Sequence, residues 1–198
     1  MTNCEAQVEV MAAVWPTRGN QTMAETIHRN IEAIGLPGWS EEEQSLAIAL
    51  QKKAGVPAEG LRRRVPALTG PMKQGASSND SGDVSWKVPM ARISFPANVP
   101  GINYHHWAAG AALATSIAHK GGAAGAKALA TSVIDFLKDA SLVATARETF
   151  RREIGDVVYR PLLPNGQQPP VDLNAVAMAK FRPLMEAHYL HERPVFRA

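Results

Sequence analysis

Residues 84–95 read VSWKVPMARISF. They divide at Pro89 into VSWKV and ARISF, which predict two short strands and so a fold that contains a sheet. A third strand is expected near the start, where Glu5, Gln7 and Glu9 alternate with Ala6, Val8 and Val10. That is the period of a half-buried strand, and Pro16 and Gly19 end it. Its pairing partners must come from elsewhere in space.

Helices surround these segments. Thr22 with Glu25, and Ser40 with Glu43, have the spacing of capping boxes. Met23, Ile27, Ile31 and Ile34 mark one apolar face of the first helix, Gly35 ends it, and Gly55 ends the second. Residues 107–120 and about 123–138 predict two further helices separated by Gly121-Gly122, and Asp139 or Ser141 caps another running to Glu153. A last helix starts near Leu173, capped by Asp172 and disturbed at Pro183. Between Val56 and about Gly82, Pro, Gly, Ser and Arg predominate without periodicity, which predicts a long loop. The expected fold class is therefore α/β: a mixed sheet flanked by helices.

Composition narrows the classes of function. The chain has 198 residues, 45% hydrophobic and 20% charged, with a formal net charge of +3. A sizeable core is possible at this composition, and no basic stripe points to nucleic acid. Arg62-Arg63-Arg64 is a solvated loop or a contact for an anionic substrate. Cys4 is the sole cysteine, so no intramolecular disulfide forms. No secretory leader pattern and no membrane-length apolar run is present, so a cytoplasmic protein is expected.

Three sequence features could carry chemistry. In NYHHWAAGAALATSIAHKGG, residues 103–122, His105 and His106 stand at a helix entrance, where the dipole favours the neutral imidazole that ligates metals. On an unbroken helix His119 lies roughly 20 Å from His105, too far to share an ion. His119 then reads as a C-terminal cap or a buried hydrogen-bonding residue. In SSNDSGDVSW, Asp80 and Asp83 either bond local backbone N–H groups in a turn or orient a metal ligand from behind. Trp86 and Trp107 suit a core or a pocket wall. Neither a GxSxG elbow nor a P-loop occurs.

Taken in order, SSNDSGDVSW, YHHW, SIAHKG and YRPLLP resemble the C-terminal half of amidohydrolases in the aminoacylase/carboxypeptidase group of dinuclear zinc peptidases. TMAETIHRNIEAIG and WSEEEQSLAIALQK resemble the helices that follow that family's lid domain. The resemblance implies that residues 1–19 end a lid or dimerisation domain and that 20–198, with a loop over 56–82, form the C-terminal portion of the catalytic domain. It implies two divalent metal ions, zinc or manganese, and a metal-activated water that attacks the amide of an acyl-amino acid such as p-aminobenzoyl-glutamate. His105 matches the family's last metal ligand, with His106 the alternative because it stands where Ser or Thr is usual. The segment Ser77–Trp86 matches a family motif at Asp80 and Asp83. These two, with Trp86, Trp107 and His119, are assigned to the surroundings of the metal ligand or to the substrate pocket.

The family's other ligands and its general base belong to an N-terminal half whose motifs do not occur here. This chain alone is therefore expected to hold no metal, to carry no catalytic residue and to be inactive. Its expected partner is the missing N-terminal half or a complementing subunit, in a homo- or hetero-oligomer. A small acyl-amino acid is the expected substrate, with no nucleic acid and no membrane involved. The alternative is a non-catalytic interaction partner that retains the fold. Either way, an exposed apolar surface and marginal stability are expected of the isolated chain.

Overall fold

A computed structural model describes residues 4–70 and 79–189. Every regular element among them is an α-helix: α1 (Gln21–Ile34), α2 (Glu41–Ala54), α3 (Ser81–Ser85), α4 (Trp107–Leu113), α5 (Ser116–Lys138), α6 (Ala140–Ile154) and α7 (Ala175–Glu186). No strand occurs among the described residues, so the expected α/β fold with a mixed sheet is corrected to a helical one.

The reasons are local. Around VSWKV, the Asp80 side chain accepts from Ser81 N–H and starts α3, while Ser85 Oγ donates to the Gly82 carbonyl at 2.6 Å. Those side chains offer the backbone a turn in place of a ladder. ARISF is not helical, yet no segment among the described residues pairs with it as a strand; the Met90 carbonyl just before it accepts from Asn20 N–H at 2.7 Å, at the entrance of α1. Branched and aromatic residues form strands only where a partner edge is within reach.

The described parts of 14–160 form one compact unit. Within it α5 packs against α1, α4 and α6, and α2 packs against α4. The core cluster joins Ala47 of α2, Ala112 of α4 and Ile117 of α5 to Leu61 and Val99 from the connecting segments. Two buried glutamines on α2 hold those segments by their backbone. Gln44 Oε1 accepts from Leu61 N–H, and Gln51 Oε1 accepts from Gly60 N–H, each at 2.8 Å. Gln51 Nε2 also donates to the Pro100 carbonyl at 3.0 Å. Both amides thus satisfy backbone groups that would otherwise be buried without partners.

Helix ends follow the sequence at some places and not at others. Ser40 and Glu43 do form a capping box, and Gly35 and Gly55 do follow α1 and α2. The cap of α1, however, is Asn20, whose Oδ1 accepts from Met23 N–H at 3.1 Å. Thr22 instead pairs its hydroxyl with that of Thr149 on α6. The expected single helix over 107–120 breaks at Ala114-Thr115, where Thr115 Oγ1 donates to the Ala112 carbonyl at 2.6 Å. Helix α5 then runs straight through Gly121-Gly122, the expected break. Gly121 is there for a close approach: a Cβ on it would collide with the backbone of Pro96 and Ala97.

The Glu43 carboxylate ties the starts of α2 and α5 together. It accepts from Ser40 N–H at 2.7 Å, from Ser116 Oγ at 2.6 Å and from Lys120 Nζ at 2.8 Å. Lys120 also donates to the Gly38 carbonyl at 3.1 Å. The lysine first, then the two further donors, hold Glu43 at a pKa of about 2 against an ordinary 4.5.

The second unit comprises the described parts of 1–13 and 161–198. Residues 4–13 have no secondary structure and 4–12 lie exposed, with Val8 88% exposed, so the strand expected at 5–10 is not formed. Gln167 Nε2 donates to the Val10 carbonyl at 2.8 Å. Helix α7 follows Asn174, contains Pro183 and buries none of its residues. The expected Asp172 side-chain cap is absent; its backbone carbonyl accepts from Ala175 N–H.

Two outcomes follow for the main unit. Gly121→Ala destabilises it by roughly 1–3 kcal/mol because the added methyl meets fixed backbone. Gly122→Ala, with nothing within 4 Å of the new Cβ, stabilises it by about 1 kcal/mol through helix propensity. Urea unfolding of both variants reads the opposite signs. A depressed carboxylate pKa stabilises the fold fully above the ordinary value, and that contribution disappears as pH falls through the folded value. Stability therefore drops between about pH 4.5 and about pH 2, and Glu43→Gln flattens that part of the profile in denaturant titrations at stepped pH.

Candidate functional site

His105 and His106 precede α4, on the turn that begins at Asn103. Asn103 Oδ1 accepts from His105 N–H at 2.9 Å, and its carbonyl accepts from His106 N–H at 3.0 Å. His105 is exposed, and its ring nitrogens make no hydrogen bond among the described residues. His106 is the N-cap of α4: its Nδ1 accepts from Ala108 N–H at 3.2 Å. The neutral ring in that role carries its proton on Nε2, so that nitrogen has no lone pair to offer a metal unless the cap is given up. Of the two imidazoles, His105 is the one whose donor atoms are uncommitted. Trp107 is 60% exposed, with its ring 5.3 Å from that of His106, so it walls no closed pocket within this unit.

His119 is exposed in the first turn of α5, not at the C-terminal end of a longer helix. Its neighbours explain the SIAHKG stretch better than a ligand does. Ser116 and Lys120 bind Glu43, Ile117 is fully buried, and Gly121 admits the Pro96 backbone.

Asp80 is exposed at the start of α3. Asp83 is half-buried and accepts from the Tyr159 hydroxyl at 2.9 Å. That bond to a carboxylate, more than burial, pushes the Tyr159 phenol above its usual pKa of 10.0. Trp86 is 9% exposed, and its indole N–H donates to the Pro16 carbonyl at 2.8 Å. Around this pair the structure gathers residues that sequence reasoning left out. The Trp15 ring lies 4.7 Å from that of Trp86 and 5.7 Å from that of Tyr159, and its N–H donates to the Arg160 carbonyl. Arg18 sits 4.6 Å over Trp86, and Lys87 sits 4.6 Å over Tyr159. Arg18 also donates to the Glu153 carbonyl at 2.7 Å. The signal available in the sequence was the triplet Val14-Trp15-Pro16 followed by Arg18, an aromatic–cation grouping in a segment otherwise read as a strand end.

Ser77 lies outside the described residues, as does the stretch 71–78 of the long loop. Arg62 and Arg63 border an open depression of about 390 Å³ together with Glu59, Gly60, Leu61, Pro100 and Gly101. Among the described residues no three His, Cys, Asp or Glu side chains converge as a metal-holding group. The described donor set does not by itself fit a dinuclear centre, since no such group forms around His105. No helix among the described residues is long and apolar enough to cross a membrane.

With this geometry in place, the chain compares with known proteins as follows. No family model and no solved structure matches it. A curated relative does: one of the subunits of p-aminobenzoyl-glutamate hydrolase from Escherichia coli (strain K12) is 26% identical to it over 175 residues, covering 76% of this chain. The chain spans only 36% of that protein's length. The chain is thus similar to part of a subunit of a p-aminobenzoyl-glutamate hydrolase.

Proposed function

We propose that this chain is the C-terminal part of a p-aminobenzoyl-glutamate hydrolase-like amidohydrolase, with hydrolytic activity only when the remainder of such an enzyme is present. The observation that carries this reading is the similarity to the hydrolase subunit over three quarters of the chain. Its internal geometry supports the reading, because segments with the resemblance pair with one another. Asp83 of SGDVSW binds Tyr159 of YRPLLP, and Glu43 of WSEEE binds Ser116 and Lys120 of SIAHKG. Such mutual satisfaction is what keeps separated motifs together in one fold.

In this reading the substrate is an acyl-amino acid amide, and hydrolysis releases the acyl acid and the amino acid. His105 is the residue assigned to metal ligation, presented by the turn ahead of α4. It supplies one donor to a zinc or manganese pair whose other donors come from a second polypeptide segment, and no catalytic step rests on this chain's own residues. The Asp83–Tyr159 pair and the ring cluster around it position the connecting backbone rather than touch the reacting amide.

The test joins this chain to the portion of a p-aminobenzoyl-glutamate hydrolase outside the matched region, by fusion or co-expression. Release of p-aminobenzoate from p-aminobenzoyl-glutamate is then followed. Activity is expected in the combination and not in the chain alone. His105→Ala is expected to lower it by roughly 10²-fold or more, with His106→Gln having a smaller effect. Full turnover by the isolated chain, or full activity in His105→Ala, would overturn the assignment. A combination that assembles yet never turns over favours the interaction-partner reading.

A further inference from the structure

Residues 59–63 are a part of the long loop that the hydrolase reading leaves without a role. With Pro100 and Gly101 they line an open depression of about 390 Å³, the size of a small-molecule site. Its backbone is locked by buried side chains. Gln51 takes both the N–H and the carbonyl of Gly60, at 2.8 and 3.3 Å, and Gln44 takes both groups of Leu61, at 2.8 and 3.4 Å. Gln51 also donates to the Pro100 carbonyl, and the Trp39 indole N–H donates to that of Arg62 at 2.9 Å. Four carbonyls of the lining are thus engaged by donors of the unit itself. Among the described residues, the backbone N–H groups of Arg62 and Arg63 have no hydrogen-bond partner. The exposed side chains of Glu59, Arg62 and Arg63 have none either, and no ion pair joins them. Opposite charges therefore border one depression without meeting, on a backbone held in one geometry, and a bridging ligand completes that arrangement.

We propose that this depression binds a free dicarboxylic α-amino acid. Each guanidinium suits a carboxylate through paired N–H donors, and the Glu59 carboxylate suits the α-ammonium. Two cations and one anion on the protein thus match two anions and one cation on the ligand. The mixed lining also rejects near relatives. A dicarboxylate without the amine, or inorganic phosphate, meets Glu59 as an uncompensated like charge. An N-acylated amino acid has an uncharged amide where the ammonium was, so Glu59 disfavours it as well. The site therefore takes the free amino acid and not the acylated substrate of the proposed reaction, and it stands whether or not that reading holds. Because Gln44 and Gln51 fix the backbone before a ligand arrives, binding orders only the three charged side chains.

Amide chemical shifts of the isotopically labelled whole chain, titrated with L-glutamate at low salt, test it. Saturable shifts are expected at Gly60, Arg62, Arg63 and Gly101, with a Kd on the order of 1 mM that rises with added salt. Arg62→Gln/Arg63→Gln is expected to weaken binding roughly 10-fold or more while the rest of the amide spectrum is unchanged. Glu59→Gln gives the sharper sign. It weakens L-glutamate yet strengthens glutarate, the same dicarboxylate without the amine, a reversal that no loss of folding produces. N-acetyl-L-glutamate is expected to bind the unaltered chain several-fold more weakly than L-glutamate does. No saturable shift at the depression, or shifts that L-glutamate and inorganic phosphate produce equally, overturns the proposal. Glutarate or N-acetyl-L-glutamate binding as tightly as L-glutamate overturns the amino-acid assignment. The chain is measured alone, so failure here leaves the assay of hydrolysis by the completed enzyme untouched.

Discussion

The Glu43 carboxylate is the point on which the main unit turns. It closes the capping box of α2, and its remaining lone pairs reach across to Ser116 and Lys120 at the start of α5. One buried side chain thereby sets both where α2 begins and how α5 is placed against it. The core cluster joins Ala47 of α2, Ala112 of α4 and Ile117 of α5, so its packing depends on that placement. A buried carboxylate is tolerated only with such full satisfaction; here the Ser40 N–H, the Ser116 hydroxyl and the Lys120 ammonium supply it.

The second constraint is steric. Gly121 lets the backbone of Pro96 and Ala97 approach α5 so closely that no side chain fits. This contact gives the end of the ARISF segment its place without a sheet. Gln44 and Gln51 act comparably on Gly60 and Leu61, as side-chain substitutes for a neighbouring strand. A chain with segments of strand-like composition can thus hold them at the edge of a helical unit, largely half-buried or exposed, where glutamines, glycines and caps take up backbone groups.

What the sequence made legible follows from range. The Ser40–Glu43 box and the Asp139 cap are decided by residues within one turn, and both are present in the structure. Strands are decided by partners distant in sequence, and the composition of VSWKV and ARISF could not reveal that none of the described segments would pair with them. The helix break at Thr115 rather than Gly121-Gly122 was hidden for a related reason. The Thr115 hydroxyl ends α4 locally, whereas the use of Gly121 is apparent only once Pro96 is seen against it. At the candidate site, the resemblance pointed to His105 and Asp83. The role of His106 as a cap acceptor, and the meeting of Trp15, Arg18 and Tyr159 around Trp86, emerge only in the folded chain.

The resemblance motifs therefore have a physical account as paired structural anchors, with His105 left as the exposed, uncommitted donor. A double-mutant cycle on Glu43→Gln and Lys120→Met, measured by urea unfolding at neutral pH, tests that account most directly. The partly exposed lysine moderates the value, so a coupling energy of about 1 kcal/mol is expected. Additive effects of the two substitutions would contradict it, because the two motifs would then not be held together by this pair.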